Sequence, residues 1–184
     1  MRFSVRCIGL LAVLVLGSAC ATSNQVPLVY QPVALEAPAC AGRLAVVKFS
    51  DNRAKPQIGH NTDNQLFYPQ GDVAVWLTEA LQRQLEAAGC RVEYHDKEYA
   101  FDTDAVVSGQ LVEAFRPSFF ITTLRFRVVM KKDGREAFIK NYEGKFENTV
   151  LVASRSNRTK LLQSALQDMM RQVVPDIIKQ AKAN

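Results

Sequence analysis

Beyond residue 41, apolar positions change period from one stretch to the next, and each period predicts an element. Arg43 to Phe49 is a short β-branched apolar run, the pattern of a buried strand. From Val73 to Ala88, the residues Ala74, Leu77, Leu81, Leu85 and Ala88 recur at three- and four-residue steps and make one face of a helix. Asp72 is placed to cap that helix and Gly89 to stop it. Cys90 to Tyr94 reads as a short strand. Longer strands follow at Ala105–Phe115, Phe119–Lys131 and Ala137–Glu147. In the middle one, Leu124, Phe126, Val128 and Met130 alternate with Arg125, Arg127 and Lys131, the signature of a half-buried strand. Asp133-Gly134 is a hairpin turn, and Gly109 weakens or bulges the first long strand. A final helix runs from about Thr159 to Gln180 on a stripe of Leu162, Leu166, Met169, Val173 and Ile177. Pro175 is expected to kink or break it.

The order β-α-β-β-β-β-α predicts an α+β fold: a two-layer sandwich of a mixed or antiparallel sheet with both helices on one face. The first strand–helix–strand unit is expected to pair its strands in parallel. Ser50 to Gly71 shows no period and reads as a long loop, of the kind that often carries function.

The N-terminus has a different logic. Arg2 and Arg6 precede an apolar stretch, Cys7 to Leu16, of signal-peptide length and too short to span a bilayer. Gly17-Ser18-Ala19-Cys20 then resembles the lipobox of bacterial lipoproteins, with Leu16 one place further from the cysteine than the usual pattern has it. That resemblance implies cleavage before Cys20, a diacylglyceryl group on its thiol and acylation (palmitate) of its amine; the alternative is an ordinary signal peptide cut after Ala19. Ala21, where an Asp resembles an inner-membrane retention signal, implies the outer membrane, facing the periplasm. The chain divides into a signal peptide (1–19), a lipidated cysteine with an extended tether (20–41) and a single periplasmic domain (42–184). Thr22 to Ala41 contains Pro27, Pro32 and Pro38, and its twenty residues fully extended reach roughly 60–70 Å.

Composition refines this reading. The 184 residues are 48% hydrophobic and 22% charged, enough for one domain with a real core and against disorder. The formal charge of +5 falls to +3 when Arg2 and Arg6 leave with the signal, an ordinary surface charge that gives no reason to expect nucleic acid. Removing Cys7 and committing Cys20 leaves Cys40 and Cys90, which in an oxidising periplasm read as one disulfide rather than two buried thiols. That bridge would close a loop of about fifty residues, stabilising by roughly 4 kcal/mol.

Candidate chemistry is sparse. The only histidines, His60 and His95, each sit near an aspartate on polar sequence and read as solvated surface groups; neither lies in a metal-ligand spacing. Asp102 and Asp104 read as closing a turn. No nucleophile, metal or cofactor motif is present, so the expectation is a non-enzyme without cofactor. The best-defined polar feature is Asp51-Asn52-Arg53, where Arg53 either pairs with Asp51 or offers its fork to a partner. Trp76, the single tryptophan, either packs under the long loop or anchors a partner, and one of Phe119 and Phe120 must point outward from a strand. Asp51, Arg53, Trp76, Phe119 and Phe120 are therefore the candidate partner-binding residues.

Asp-Asn-Arg followed by Ile58-Gly59, then Val73-x-x-Trp76-Leu77, Val107-Ser108-Gly109 and Ala165-Leu166-Gln167-Asp168, resemble the YajG family of bacterial lipoproteins over roughly residues 43 to 178. The resemblance implies an outer-membrane-anchored periplasmic domain and supplies no activity. Two functions follow as expectations: a non-catalytic binding or scaffold component of a cell-envelope complex with a protein partner, or an auxiliary lipoprotein of a lipid or small-molecule transport system with a ligand groove between helices and sheet.

Overall fold

The computed structural model describes residues 24–36, 39–40, 42–60, 64–115, 121–147 and 155–182. Cys20, Phe119 and Phe120 lie outside them. The chain order is β1 (Gln25–Pro27), β2 (Arg43–Val47), β3 (Ser50–Asp51), β4 (Gly59–His60), β5 (Leu66–Gln70), α1 (Val73–Ala87), β6 (Arg91–His95), β7 (Ala105–Phe115), β8 (Ile121–Lys132), β9 (Arg135–Glu147) and α2 (Arg155–Lys182).

The main sheet has the order β6-β2-β7-β8-β9, with β3 extending the β2 side of β7. β2 pairs in parallel with both β6 and β7, whereas β7-β8 and β8-β9 are antiparallel. Both helices lie on one face. Leu44, Val46, Val107, Leu111, Leu124, Phe126, Val128, Met130 and Tyr142 point into that layer and share a core with Leu77, Leu81 and Leu85 of α1 and Leu166, Met169, Val173 and Ile177 of α2. The α+β sandwich read from the sequence is thus the fold observed.

Local chemistry sets the ends of α1. The Asp72 carboxylate accepts the backbone N–H groups of Ala74 (2.8 Å) and Val75 (3.1 Å), satisfying donors that the first turn leaves free. At the other end Gly89 has a φ of +89°, a conformation that costs glycine least. The N–H of Cys90 returns to the carbonyl of Leu85 (3.0 Å) and that of Gly89 to Glu86 (2.9 Å), a Schellman closure. This cap hands Cys90 directly to β6. Because Arg43 and Arg91 are register partners in the parallel β2-β6 pair, Cys40 and Cys90 arrive at the same end and are joined as a disulfide.

Two glycines let layers approach. A Cβ on Gly144 of β9 would stand 2.2 Å from the carbonyl oxygen of Ala165 and 2.9 Å from the Cβ of Met169, so α2 lies on this strand at backbone contact. A Cβ on Gly109 would enter the ring of Phe49 at 2.6 Å; Gly109 is room for an aromatic. The irregularity in β7 falls instead between Leu111 and Glu113.

Three expectations need correcting. The long loop contains three short strands: β3 joins the main sheet, while β4 and β5 pair antiparallel and β5 pairs in parallel with β1. The final helix runs through Pro175 without a break, since the fully buried Val173, Val174, Ile177 and Ile178 hold both sides to the sheet. The extended tether is, over residues 24–36, part of the fold: Val26 and Tyr30 are buried at 2% and 7% exposure.

Gly144→Ala is expected to destabilise the domain by about 1–3 kcal/mol, the usual cost of overpacking, because α2 must lift to admit one methyl. Chemical denaturation of the folded domain measures it, and an unchanged midpoint would refute the backbone contact.

Candidate functional site

The sequence singled out residues around the β2-to-α1 connection, and the structure occupies each described one internally. Arg53 donates from Nε and Nη2 to the two carboxylate oxygens of Asp51 at 2.8 and 2.7 Å, and from Nη1 to the carbonyl of Pro56 at 3.3 Å. Its side chain is only 9% exposed. The guanidinium hydrogen bond holds the Asp51 carboxyl below its usual range, with burial opposing. Arg53 is therefore a brace for the turn after β3, its fork already filled. Trp76 is buried at 7% exposure and belongs to the core with Phe49, Ile58 and Phe67; its indole N–H has no partner among the described residues.

His95 departs from the sequence reading as a solvated group. It sits on the outer face of β6, opposite Val47, with ring centroids 4.4 Å from Phe101 and 5.2 Å from Tyr99. Its Nδ1 is 2.8 Å from the Tyr99 hydroxyl. Glu98 pairs with Lys131 of β8. This connection folds back over the outer face of the sheet, which explains why Ala45 and Val47 are buried on the side away from the helices. Asp104 accepts the N–H of Arg43, sixty-one positions away, at 2.7 Å, so this carboxylate ties the start of β7 to β2 and does not close a local turn.

Over β7, β8 and β9 the outer face stays open. Val112 and Ile139 are exposed at 47% and 40%, among Gln110, Arg125, Arg127 and Asn141. Two adjoining depressions lie here: one of about 300 Å³ between the 53–57 turn and β7, the other of about 550 Å³ across β7–β9. Arg125 pairs with Glu113 along the shared wall. The strand alternation could have revealed this surface, because it places arginines opposite Gln110 and Glu113 on the polar side of β8. Among the described residues no group of three or more histidine, cysteine, aspartate or glutamate side chains gathers as a metal site.

The second polar centre joins α2 to the sheet edge. Asp176 accepts Lys140 Nζ at 2.5 Å and the Tyr142 hydroxyl at 2.8 Å. Burial pushes its carboxyl up, but those two hydrogen bonds and the Lys140 charge outweigh it and hold it below the usual range. Burial together with Asp176 raises the Tyr142 phenol.

Sequence reasoning missed the third feature altogether. Gln84, on the buried face of α1 at 1% exposure, takes the Tyr30 hydroxyl at 2.5 Å and the Val33 N–H at 2.9 Å on its amide oxygen. Its amide nitrogen donates to the Val33 carbonyl at 2.8 Å. One side-chain amide thus pairs with both backbone groups of Val33, as a neighbouring strand would. From α2, Thr159 donates to the Pro27 carbonyl and Gln167 to that of Gln31. A glutamine on the buried face of the helix, where its amide needs partners, was the available signal.

No family model matches the sequence, and no curated protein matches it. Solved structures share the fold. Protein XCC0632 from Xanthomonas campestris, described by the family model DUF330, superposes with a TM-score of 0.60 at 13% identity, covering 85% of this chain and 94% of that one. An uncharacterised protein gives 0.57 at 10% identity over 80% and 99% of the two chains. A hypothetical protein from Chlamydia trachomatis gives 0.54 at 10% identity over 78% and 99%. The agreement is one of fold.

Two outcomes follow. Gln84→Ala should cost about 1–3 kcal/mol through stranded polar groups and speed amide exchange across 26–33 more than elsewhere; uniform exchange would contradict the clamp. Asp176 has a folded-state pKa below its unfolded one, so its stabilising contribution is present at neutral pH and is lost as pH falls through the carboxylate range to the folded value. Denaturation midpoints measured down that range should drop less steeply in Asp176→Asn than in the wild type, and parallel curves would contradict it.

Proposed function

We propose that the protein is a non-catalytic, lipid-anchored lipoprotein of the outer membrane whose periplasmic domain binds a protein partner in a cell-envelope complex. The anchor reading rests on the lipobox-like Gly17-Ser18-Ala19-Cys20 with Ala21 after it. Among the described residues no helix is long and apolar enough to cross a membrane, which is compatible with attachment by lipid.

The observation that carries the binding role is the contrast between the sheet's two faces. The helix face is filled by large side chains at or near zero exposure, including Phe49, Leu111, Phe126, Leu166 and Met169. A void bordered by Val26, Phe67, Thr122 and Leu162 is only about 10 Å³, too small for a lipid or a drug-sized ligand. This packing supports a protein-binding role over a transport auxiliary with a groove between helices and sheet. The outer face instead offers Val112, Ile139, Arg125 and Arg127 on long, rigid strands, a mixture of apolar and arginine side chains that suits a protein interface. Arg53, braced on Asp51, lines the rim of this surface beside Val112 and Arg125, whereas Trp76 belongs to the core on the helix side.

The test combines anchor and surface. Cys20→Ala should abolish the acyl mass on the mature protein and release it from membranes, whereas a lipid-free wild type by intact-mass analysis would refute the anchor. A photo-crosslinking residue at position 127 or 139 should trap one discrete envelope protein in cells, and one at Arg83 on α1 should not. Equal crosslinking at all three would refute the outer face as the partner surface.

A further inference from the structure

We propose that the outward face of β5, carrying Leu66 and Tyr68, rests on the lipid surface to which the chain is anchored, so that the domain is held against the bilayer instead of standing off it. This deepens the anchor reading and rests on it.

The argument begins with chain length. A free tether from Cys20 to Ala41 would let the domain roam tens of ångströms from the membrane. Residues 24–36 are instead consumed by the fold. β1 pairs with β5, with Gln25 opposite Tyr68 and Pro27 opposite Gln70, and the Tyr68 N–H donates to the Asn24 carbonyl at 3.0 Å. Val26 and Tyr30 are buried, and Gln84, Thr159 and Gln167 bind the segment beyond. The slack between lipid and domain is therefore the four-residue step from Cys20 to Asn24, which spans at most about 14 Å. That is less than the width of the domain, so one particular surface must face the headgroups.

Register identifies that surface. β1 and β5 run parallel, so moving back from Tyr68 to Leu66 leads toward the end of the ladder where the chain returns to Cys20. Alternation on β5 turns Phe67 into the core at 3% exposure and leaves Leu66 and Tyr68 outside at 39% and 41%. An aliphatic and a tyrosine side chain exposed together, next to a lipid attachment point, match the chemistry of the membrane interface, where an apolar ring body and a polar hydroxyl are both accommodated. A single acyl chain binds marginally, and additional apolar contact with the headgroup boundary strengthens attachment.

The experiment uses the full-length, processed protein in vesicles of phosphatidylethanolamine and phosphatidylglycerol, with a spin label on Leu66→Cys, Tyr68→Cys or, as a reference on α1, Arg83→Cys. Labels at 66 and 68 should show several-fold lower collision with an aqueous nickel chelate than the label at 83, and higher collision with oxygen dissolved in the lipid. Inserting a flexible Gly/Ser linker of about twenty residues, which spans roughly 25 Å, between Cys20 and Asn24 should expose both labels while the protein still floats with the vesicles. Flotation with labels at 66 and 68 as chelate-accessible as the one at 83 would overturn the orientation and leave the anchor standing. Failure to float, with no acyl mass on Cys20, would overturn both. Spin–spin broadening between copies labelled at 68, without oxygen accessibility, would place a second copy on this face and overturn the lipid contact.

Discussion

The seating of α2 on the sheet is the constraint from which the rest of the architecture follows. A helix can come to backbone contact with a strand only where no Cβ intervenes, and Gly144 provides that notch beneath Ala165 and Met169. Once seated, α2 covers β8 and β9, lies alongside α1 and presents Thr159 and Gln167 to the segment 24–36. Asp176 fixes the far end to Lys140 and Tyr142. Proline at 175 removes one helical hydrogen bond, yet four fully buried neighbours outweigh that local cost. Burying all this apolar surface on one side leaves the opposite side of β7–β9 to solvent, so the open face is a by-product of how the core is filled.

What could be read in advance follows the range of the interactions involved. Caps, hairpin turn and alternation are local: Asp72, Gly89, Asp133-Gly134 and the Leu124–Met130 series announce themselves within a few residues. The Cys40–Cys90 bridge was legible because an even remainder of two cysteines and the parallel pairing of the strands that follow them both point to it. Other features depend on partners far along the chain. The docking of the N-terminal segment depends on Gln84, fifty-one residues from Val33; a glutamine on the buried face of α1 signals that a partner is needed, but nothing near it names which one. His95 looked solvated because its cover, Tyr99 and Phe101, is recognisable only once the connection folds back. The strands β3 and β4 are two residues long, below the length at which a period can be seen, and β5 carries Pro69, which reads in sequence as a strand breaker.

The same division governs the candidate site. Arg53 could be recognised from sequence as either a brace or an offered fork, and geometry alone decides: both carboxylate oxygens of Asp51 fill it. Side chains that look functional because they are polar and conspicuous were serving the turn, while the accessible arginines of β8 were hidden in plain alternation. Fold likeness to these solved structures narrows the architecture without assigning a role, since one scaffold hosts many surfaces.

The direction in which β1 meets β5 carries a mechanical consequence. Two parallel strands pulled from the upstream end of one of them slide along their common axis, so the ladder bonds are loaded together. A strand peeled sideways gives up its bonds one after another. Tension arriving through the chain before Asn24 therefore acts on Gln25, Val26 and Pro27 in shear, and behind them the Gln84 amide grips Val33 at both backbone groups. The domain is built to be hauled on by its N-terminus without unravelling.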